Sequence, residues 1–168
     1  GIVLSGAAQI HNTGTGAVSL NGTGANGTSS NVGVWLSGIA ALTDADSFTG
    51  ISLVDGTLTI NGTGGTATST DNDGIGLESS AKLTASGTGN INITGTGGAG
   101  AGSRDNGFII VGRDAARTAL DTTKIELNGG NLNISGSATT ALSYGIHLSG
   151  GSELITNGVG TVTLAGQS

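Results

Sequence analysis

Apolar and polar residues alternate along this chain in short stretches, and two kinds of stretch recur five times each. The first follows a glycine and has apolar residues at its first and third positions, with copies at 2–4, 34–36, 75–77, 108–110 and 146–148. The second is apolar, polar, apolar and precedes a small polar segment, with copies at 18–20, 58–60, 91–93, 132–134 and 162–164. A period of two predicts β-strands with one buried face, which we name strand one and strand three of a repeating unit.

A single strong apolar residue between these stretches predicts a further strand, strand two. These anchor residues are Ile10, Leu42, Leu83, Ile125 and Leu154. The anchor lies six residues after strand one in every unit except the fourth, and an uninterrupted unit is about 32 residues long. Two units are longer, and the spacing places their insertions at 43–57 and 111–124, both bordering strand two.

One unit of three short strands cannot bury its own apolar face, but stacked units can. Each strand then pairs in parallel with its equivalent about 4.8 Å away. We therefore predict an all-β fold, a right-handed parallel β-helix of five coils starting near 1, 33, 74, 107 and 145, with long Gly/Thr/Ser loops. An antiparallel sandwich also has short alternating strands. The constant spacings favour a single β-solenoid segment over 1–168.

Composition narrows the classes of function. Zero cysteines exclude a disulfide framework and thiolate metal sites, and 34 glycines without proline or a triplet period exclude collagen. The formal net charge is −6 with five Lys and Arg, so we expect no nucleic-acid partner. No apolar run approaches the roughly 20 residues that span a bilayer, so we expect no membrane insertion.

The outward positions of the predicted strands contain no pair of carboxylates, which glycoside hydrolysis requires. We therefore predict no enzyme, no catalytic residue and no cofactor. The weak calcium candidates are two pairs at i and i+2, Asp71 with Asp73 and Asp44 with Asp46. Both pairs lack the remaining ligands of a calcium loop, and turn formation is the alternative explanation of each.

Two groups of residues are candidates for interactions. Val3, Trp35 and Ile109 point outward from strand one, so they form an apolar stripe for lateral contacts, unless the long loops fold over it. Arg113 and Arg117 lie in the insertion of the fourth coil. Their positive charges are opposite in sign to those of the acidic residues in the insertion of the second coil, so the two insertions could contact each other or a neighbouring solenoid. The expected partners are further copies, end to end or lateral, or the continuation of a longer chain, and glycans that the hydroxyl-rich loops would bind.

The units at 81–98 and 145–166 contain the sequence motifs GTGxIxITGTGG, GIxLxG and xLT, and weaker copies of these motifs cover the whole chain. They resemble the repeats of filamentous-haemagglutinin-type and autotransporter-type bacterial exoproteins, especially β-strand-repeat proteins. The resemblance implies a right-handed β-helix, an extracellular or cell-surface location, and adhesive or filament-forming roles.

On this basis we expect a non-catalytic structural or adhesive β-solenoid segment of a large secreted bacterial protein, part of a longer repetitive chain or filament. One alternative is a polysaccharide-binding or polysaccharide-degrading β-helix protein. An ice-binding solenoid is a weaker alternative, because the Thr-x-Thr array begun at Thr57/Thr59 and Thr161/Thr163 is missing from the other units.

Overall fold

A computed structural model describes residues 1–28, 30–38, 48–66, 68, 70–100, 104–112 and 122–168. These residues contain fifteen strands, three to a coil. The strands are β1 Ile2–Ser5, β2 Gln9–Asn12, β3 Val18–Thr23, β4 Val34–Ser37, β5 Gly50–Leu53, β6 Thr57–Thr63, β7 Ile75–Glu78, β8 Lys82–Ala85, β9 Asn90–Thr96, β10 Phe108–Val111, β11 Lys124–Leu127, β12 Leu132–Ser137, β13 Ile146–Ser149, β14 Glu153–Thr156 and β15 Val162–Gln167.

Every strand pairs in parallel with its equivalent in the neighbouring coil, which gives three sheets of five strands. Sheet 1 has the order β1-β4-β7-β10-β13, sheet 2 β2-β5-β8-β11-β14 and sheet 3 β3-β6-β9-β12-β15. The predicted fold class is therefore confirmed: the protein is a three-sided parallel β-helix of five coils.

The core is a set of aliphatic rows that run along the helix axis. The two rows of sheet 1 are Ile2/Val34/Ile75/Phe108/Ile146 and Leu4/Leu36/Leu77/Ile110/Leu148, as the alternation predicts. Sheet 3 supplies the rows that begin at Val18 and Leu20. Within the three inner coils these side chains are almost completely buried, so stacking completes a core that no coil has alone.

Strand two of the second coil differs from the sequence prediction. Ile51 in β5 pairs with Ile10 on one side and with Leu83 on the other, so Ile51 occupies the row assigned to Leu42. Leu42 itself lies outside the described residues. The predicted anchor was wrong because one apolar residue at the expected spacing is a weaker signal than the alternating pair Ile51 and Leu53.

Because β5 begins at Gly50, the insertion of the second coil lies between strands one and two, and not between strands two and three as the sequence predicts. The connection from sheet 1 to sheet 2 has three residues in coils one, three and five (6–8, 79–81 and 150–152). It has twelve in coils two and four (38–49 and 112–123), so both insertions occupy the same corner of the solenoid. Each three-residue connection contains two successive residues of positive φ, for example Ser79 and Ser80, and this conformation reverses the chain tightly.

Strand three is longer than the alternating triplet predicts. The small polar segments that we expected to start loops, such as Asn61-Gly62-Thr63, are the second halves of β3, β6, β9, β12 and β15. Their central glycines, Gly62 and Gly95 among them, occupy inward positions beside the glycine that precedes the next strand one. Two glycine columns thus let the backbones of sheet 3 and sheet 1 approach closely at this corner.

Candidate functional site

A groove of about 370 Å³ lies on the outer face of sheet 1. It spans the second, third and fourth coils, and both apolar strand side chains and polar side chains from the turns before strand one line it. Its lining residues are Ser30, Val32, Trp35, Asp71, Asp73, Gly76, Leu77, Glu78, Arg104, Ile109 and Val111.

A glycine, Gly76, lies at the centre of the groove, where the neighbouring strands carry side chains. The register places Trp35, Gly76 and Ile109 at the same outward position of three consecutive strands. Since Gly76 has no Cβ, the apolar stripe predicted from the sequence is interrupted there, and Trp35 and Ile109 face each other across the gap. Val3, the third predicted member, lies in the first coil, is 64 % exposed and does not line the groove.

The turns before strand one build the polar rim of the groove. Ser30, Asp71, Arg104 and Leu142 are non-glycine residues with φ between 51° and 68°, one in each of four successive turns. Because the turns stack, the Arg104 guanidinium lies over the Asp71 carboxylate, and their Nη2 and Oδ2 atoms are 3.3 Å apart. Glu78, at the opposite side, accepts a hydrogen bond from the Ser37 hydroxyl at 3.2 Å.

Asp73 is the buried carboxylate of the groove. Its Oδ1 accepts hydrogen bonds from the backbone N–H and the side-chain amide of Asn106, at 2.7 and 2.8 Å. Burial raises the pKa of Asp73 to about 6; the hydrogen bonds from Asn106 oppose this shift, and the neighbouring charges of Asp71 and Asp105 add to it. Asp73 therefore titrates nearer neutrality than an ordinary carboxyl does.

A second buried polar row runs beside Asp73. Asn31 donates to Asn72 Oδ1, and Asn72 donates to Asp105 Oδ1 through its backbone N–H at 2.9 Å and its side-chain amide at 3.0 Å. The Asp105 N–H in turn donates to Ser143 Oγ at 2.9 Å. Among the described residues, Asp105 Oδ2 is the buried side-chain oxygen without a hydrogen-bond partner. This row fixes the turns that present the groove residues.

The two described calcium candidates, Asp71 and Asp73, line the same groove but have different hydrogen-bond partners. Asp71 binds Arg104 and the Thr70 hydroxyl, whereas Asp73 binds Asn106. The described part of the chain holds no group of three or more His, Asp or Glu side chains arranged to ligate a metal ion. Asp44, Asp46, Arg113 and Arg117 lie outside the described residues.

The sequence singles out Asp71 and Asp73 only as weak calcium candidates and does not connect them with Glu78, because no spacing along the chain shows that the turns stack beside the far end of strand one. Asp71 and Asp73 precede strand one, and stacking brings them beside Glu78 at its far end. A signal was present: Asn or Asp occupies the second position before the glycine that opens strand one in three units, as Asn31, Asn72 and Asp105, and the next position holds Asp73 and Asn106 in two of them.

Sheet 3 presents a face of different chemistry. The outward positions of its five strands hold only Ser, Thr, Asn, Ala and Gln. Some of these side chains bond between coils, such as Asn61 Nδ2 to Asn21 Oδ1 at 2.8 Å and Asn133 Nδ2 to Asn92 Oδ1 at 2.9 Å. This face is therefore neutral and hydrogen-bonded along the axis.

Comparison of the chain with protein-family models, with curated proteins and with solved structures gives no match. Over the described ranges, no helix has the length and apolar character needed to cross a membrane.

Proposed function

We propose that this chain is a non-catalytic structural segment of a large secreted or cell-surface bacterial protein, in which the β-solenoid forms the body of an adhesive stalk or filament. The unbroken parallel register of three sheets over five coils supports this proposal. Continuous hydrogen-bonded ladders and a dry aliphatic core make such a body stiff and resistant to proteases.

The observation that carries the proposal is that the inward rows become buried only where another coil stacks on them. Leu164 and Val162 occupy the inward rows of sheet 3, yet they are 46 % and 40 % exposed, whereas Ile134 and Leu132 one coil below are almost completely buried. A further coil would cover them. The same rows begin on the first coil with the half-buried Val18 and the buried Leu20. We propose that coils continue the stack head to tail along these rows, which gives an open filament.

Association of the isolated chain tests this proposal. We expect the molecular mass in sedimentation velocity to rise with concentration, and electron microscopy to show linear particles. Leu164→Glu would place a charge on the stacking surface and keep the chain monomeric. Val159→Glu adds the same charge at a loop residue that is 93 % exposed, so it leaves association unchanged.

A native chain that stays monomeric at every concentration, or a Leu164→Glu variant that associates as the native chain does, would contradict the stacking. The non-catalytic part has its own test, in which the chain is incubated with neutral, amino and uronate oligosaccharides. Shorter products in mass spectrometry would show that it is wrong.

A further inference from the structure

The sheet 1 groove combines a half-buried apolar surface with an excess of carboxylates, and this combination favours one class of ligand. We propose that the groove binds a sugar unit that carries a free amine, such as a glucosamine unit of a glycan. The site comprises Trp35, Gly76 and Ile109 on its floor and Asp71, Asp73 and Glu78 on its rim.

The floor accepts the apolar face of a sugar ring. A pyranose ring has one face of C–H groups, which stacks on an indole as other apolar groups do. The strands of Trp35 and Ile109 lie two coils apart, or roughly 10 Å at the usual strand spacing. Their side chains each approach to 3.7 Å from the Cβ position of the buried Gly76, so the glycine leaves a shallow gap between two apolar walls against which a ring can pack.

The rim selects the charge of the ligand. Three carboxylates face one guanidinium, and Arg104 is already paired with Asp71 at 3.3 Å. The surplus of negative charge repels uronate or sialyl groups and attracts an ammonium group. Trp35 adds to this preference, because the face of an indole attracts cations. Ring hydroxyls have acceptors in the same carboxylates.

This inference is independent of the stacking proposed above, since the groove spans coils two to four and the stacking surface is on the fifth. Loss of Leu164-dependent association would leave sugar binding intact. Failure of sugar binding would leave the association intact.

Trp35 provides the measurement, because it is the protein's only tryptophan and its fluorescence reports directly on the groove. We expect a glucosamine oligomer to shift the Trp35 emission, with an affinity that falls as salt is added. The N-acetylated oligomer should bind about tenfold more weakly, and oligogalacturonate should give no shift. A silent titration, equal binding of the N-acetylated oligomer, or tighter binding of a lysine-rich peptide would overturn the proposal.

Three variants localise the binding to the groove by calorimetry. Gly76→Val fills the floor: a Cβ there lies in ordinary contact, 3.7 Å from both Trp35 and Ile109. Trp35→Ala removes the stacking surface, and Glu78→Gln removes one charge while keeping the shape of the side chain. We expect about tenfold weaker binding for the first two and a several-fold loss for the third.

Val3→Ala is the matched control, since it changes the same outward row of sheet 1 outside the groove. Thermal unfolding of each variant near the native temperature establishes that it has folded. Folded Gly76→Val and Trp35→Ala variants with native affinity would contradict the assignment of the site.

Discussion

Glycine has opposite surroundings at two positions of this solenoid, although both lie within strands. Gly95 points inward in β9, at the corner where sheet 3 meets the turn before sheet 1, and a Cβ there would overlap the carbonyl oxygen of Gly107. Gly76 points outward in β7, where a Cβ meets only side-chain atoms at 3.7 Å. The first glycine is required by close backbone approach and the second is not.

Alanine at these two positions should therefore have different effects. We expect Gly95→Ala to lower the free energy of unfolding by about 3 kcal/mol, because backbone atoms of two sheets must separate. Gly76→Ala should be neutral or stabilising by about 0.5–1 kcal/mol, since alanine loses less conformational freedom on folding. Denaturant unfolding of both variants measures the difference, and equal effects would contradict the close approach at the corner.

The carboxyl group of Asp73 makes stability depend on pH with a definite sign. Its pKa is raised from 3.8 to about 6 in the folded protein, so the folded state binds its proton more tightly than the unfolded state does. The stabilisation is present below the ordinary pKa and is lost as the pH rises from about 4 to about 6. This shift corresponds to about 3 kcal/mol at most.

We predict that Asp73→Asn removes this loss and makes the protein more stable than the native chain at pH 7. An asparagine keeps an oxygen that accepts from Asn106, and Asn106 is itself the equivalent residue of the next coil. Chemical denaturation between pH 4 and pH 7 tests this prediction. The measured quantity is the difference in the free energy of unfolding between the variant and the native chain. A difference that does not grow with pH would contradict the prediction.

Asp55→Asn is the control for that series. Hydrogen bonds from the backbone N–H and the hydroxyl of Thr88 lower the pKa of Asp55, so its contribution has the opposite sign. The stabilisation that Asp55 provides is present above its ordinary pKa and is lost as the pH falls. Between pH 4 and pH 7 we therefore expect Asp55→Asn to be less stable than the native chain by a nearly constant amount, which shrinks only below about pH 4, whereas the gain of Asp73→Asn grows with pH.

At the scale of the strand, the corner between sheets 1 and 2 tolerates changes of length. Short and long connections alternate from coil to coil, yet the flanking strands keep their register on both sides. The long connections also support the short ones. Thr49 Oγ1 accepts from the Ala7 N–H at 2.9 Å, and Thr123 Oγ1 accepts from the Ser80 N–H at 3.1 Å.

We predict that residues 38–48 can be replaced by two glycines. The corner then reads Gly-Gly-Thr49, with the length of the native tight turns and with the threonine that accepts from Ala7. Because no strand pairing changes, unfolding should stay cooperative and the stability should change by no more than about 1–2 kcal/mol. Replacement of residues 74–76 by two glycines removes Ile75 from β7 and shortens the chain by one residue, and it is the destabilising control. Loss of the β circular-dichroism signal in the corner variant would show that the insertion is needed for the fold.

Strands one and three could be predicted from the sequence because each carries two inward apolar residues at a fixed distance from a glycine. Strand two could not be placed in the second coil. Leu42 lies at the six-residue distance from strand one that the first, third and fifth units show, whereas the true strand with Ile51 begins only after a connection of twelve residues. The second inward position of sheet 2 holds Asn12, Leu53, Ala85, Leu127 and Thr156, so its apolar residues are confined to the three inner coils and the sequence shows no row through all five.

At the scale of the whole molecule, the three faces differ in chemistry although the coils repeat. Sheet 1 has an outward row that is apolar from Val3 to Ile109 and contains the groove, sheet 2 carries charges such as the ion pair of Lys124 and Glu126, and sheet 3 is neutral. Inward positions are constrained by stacking, whereas outward positions are free to vary. This is why the core rows could be predicted and the groove could not: the groove depends on one absent side chain and on residues from three turns.

The alternation of short and long corners has a consequence for what this edge can display. Two insertions separated by one tight coil start about 10 Å apart along the axis, at the usual spacing of strands. That distance is close to the width of a single α-helix with its side chains. Insertions in every second coil are therefore the densest arrangement in which a β-solenoid can carry a row of helix-sized insertions along one edge without steric overlap between them.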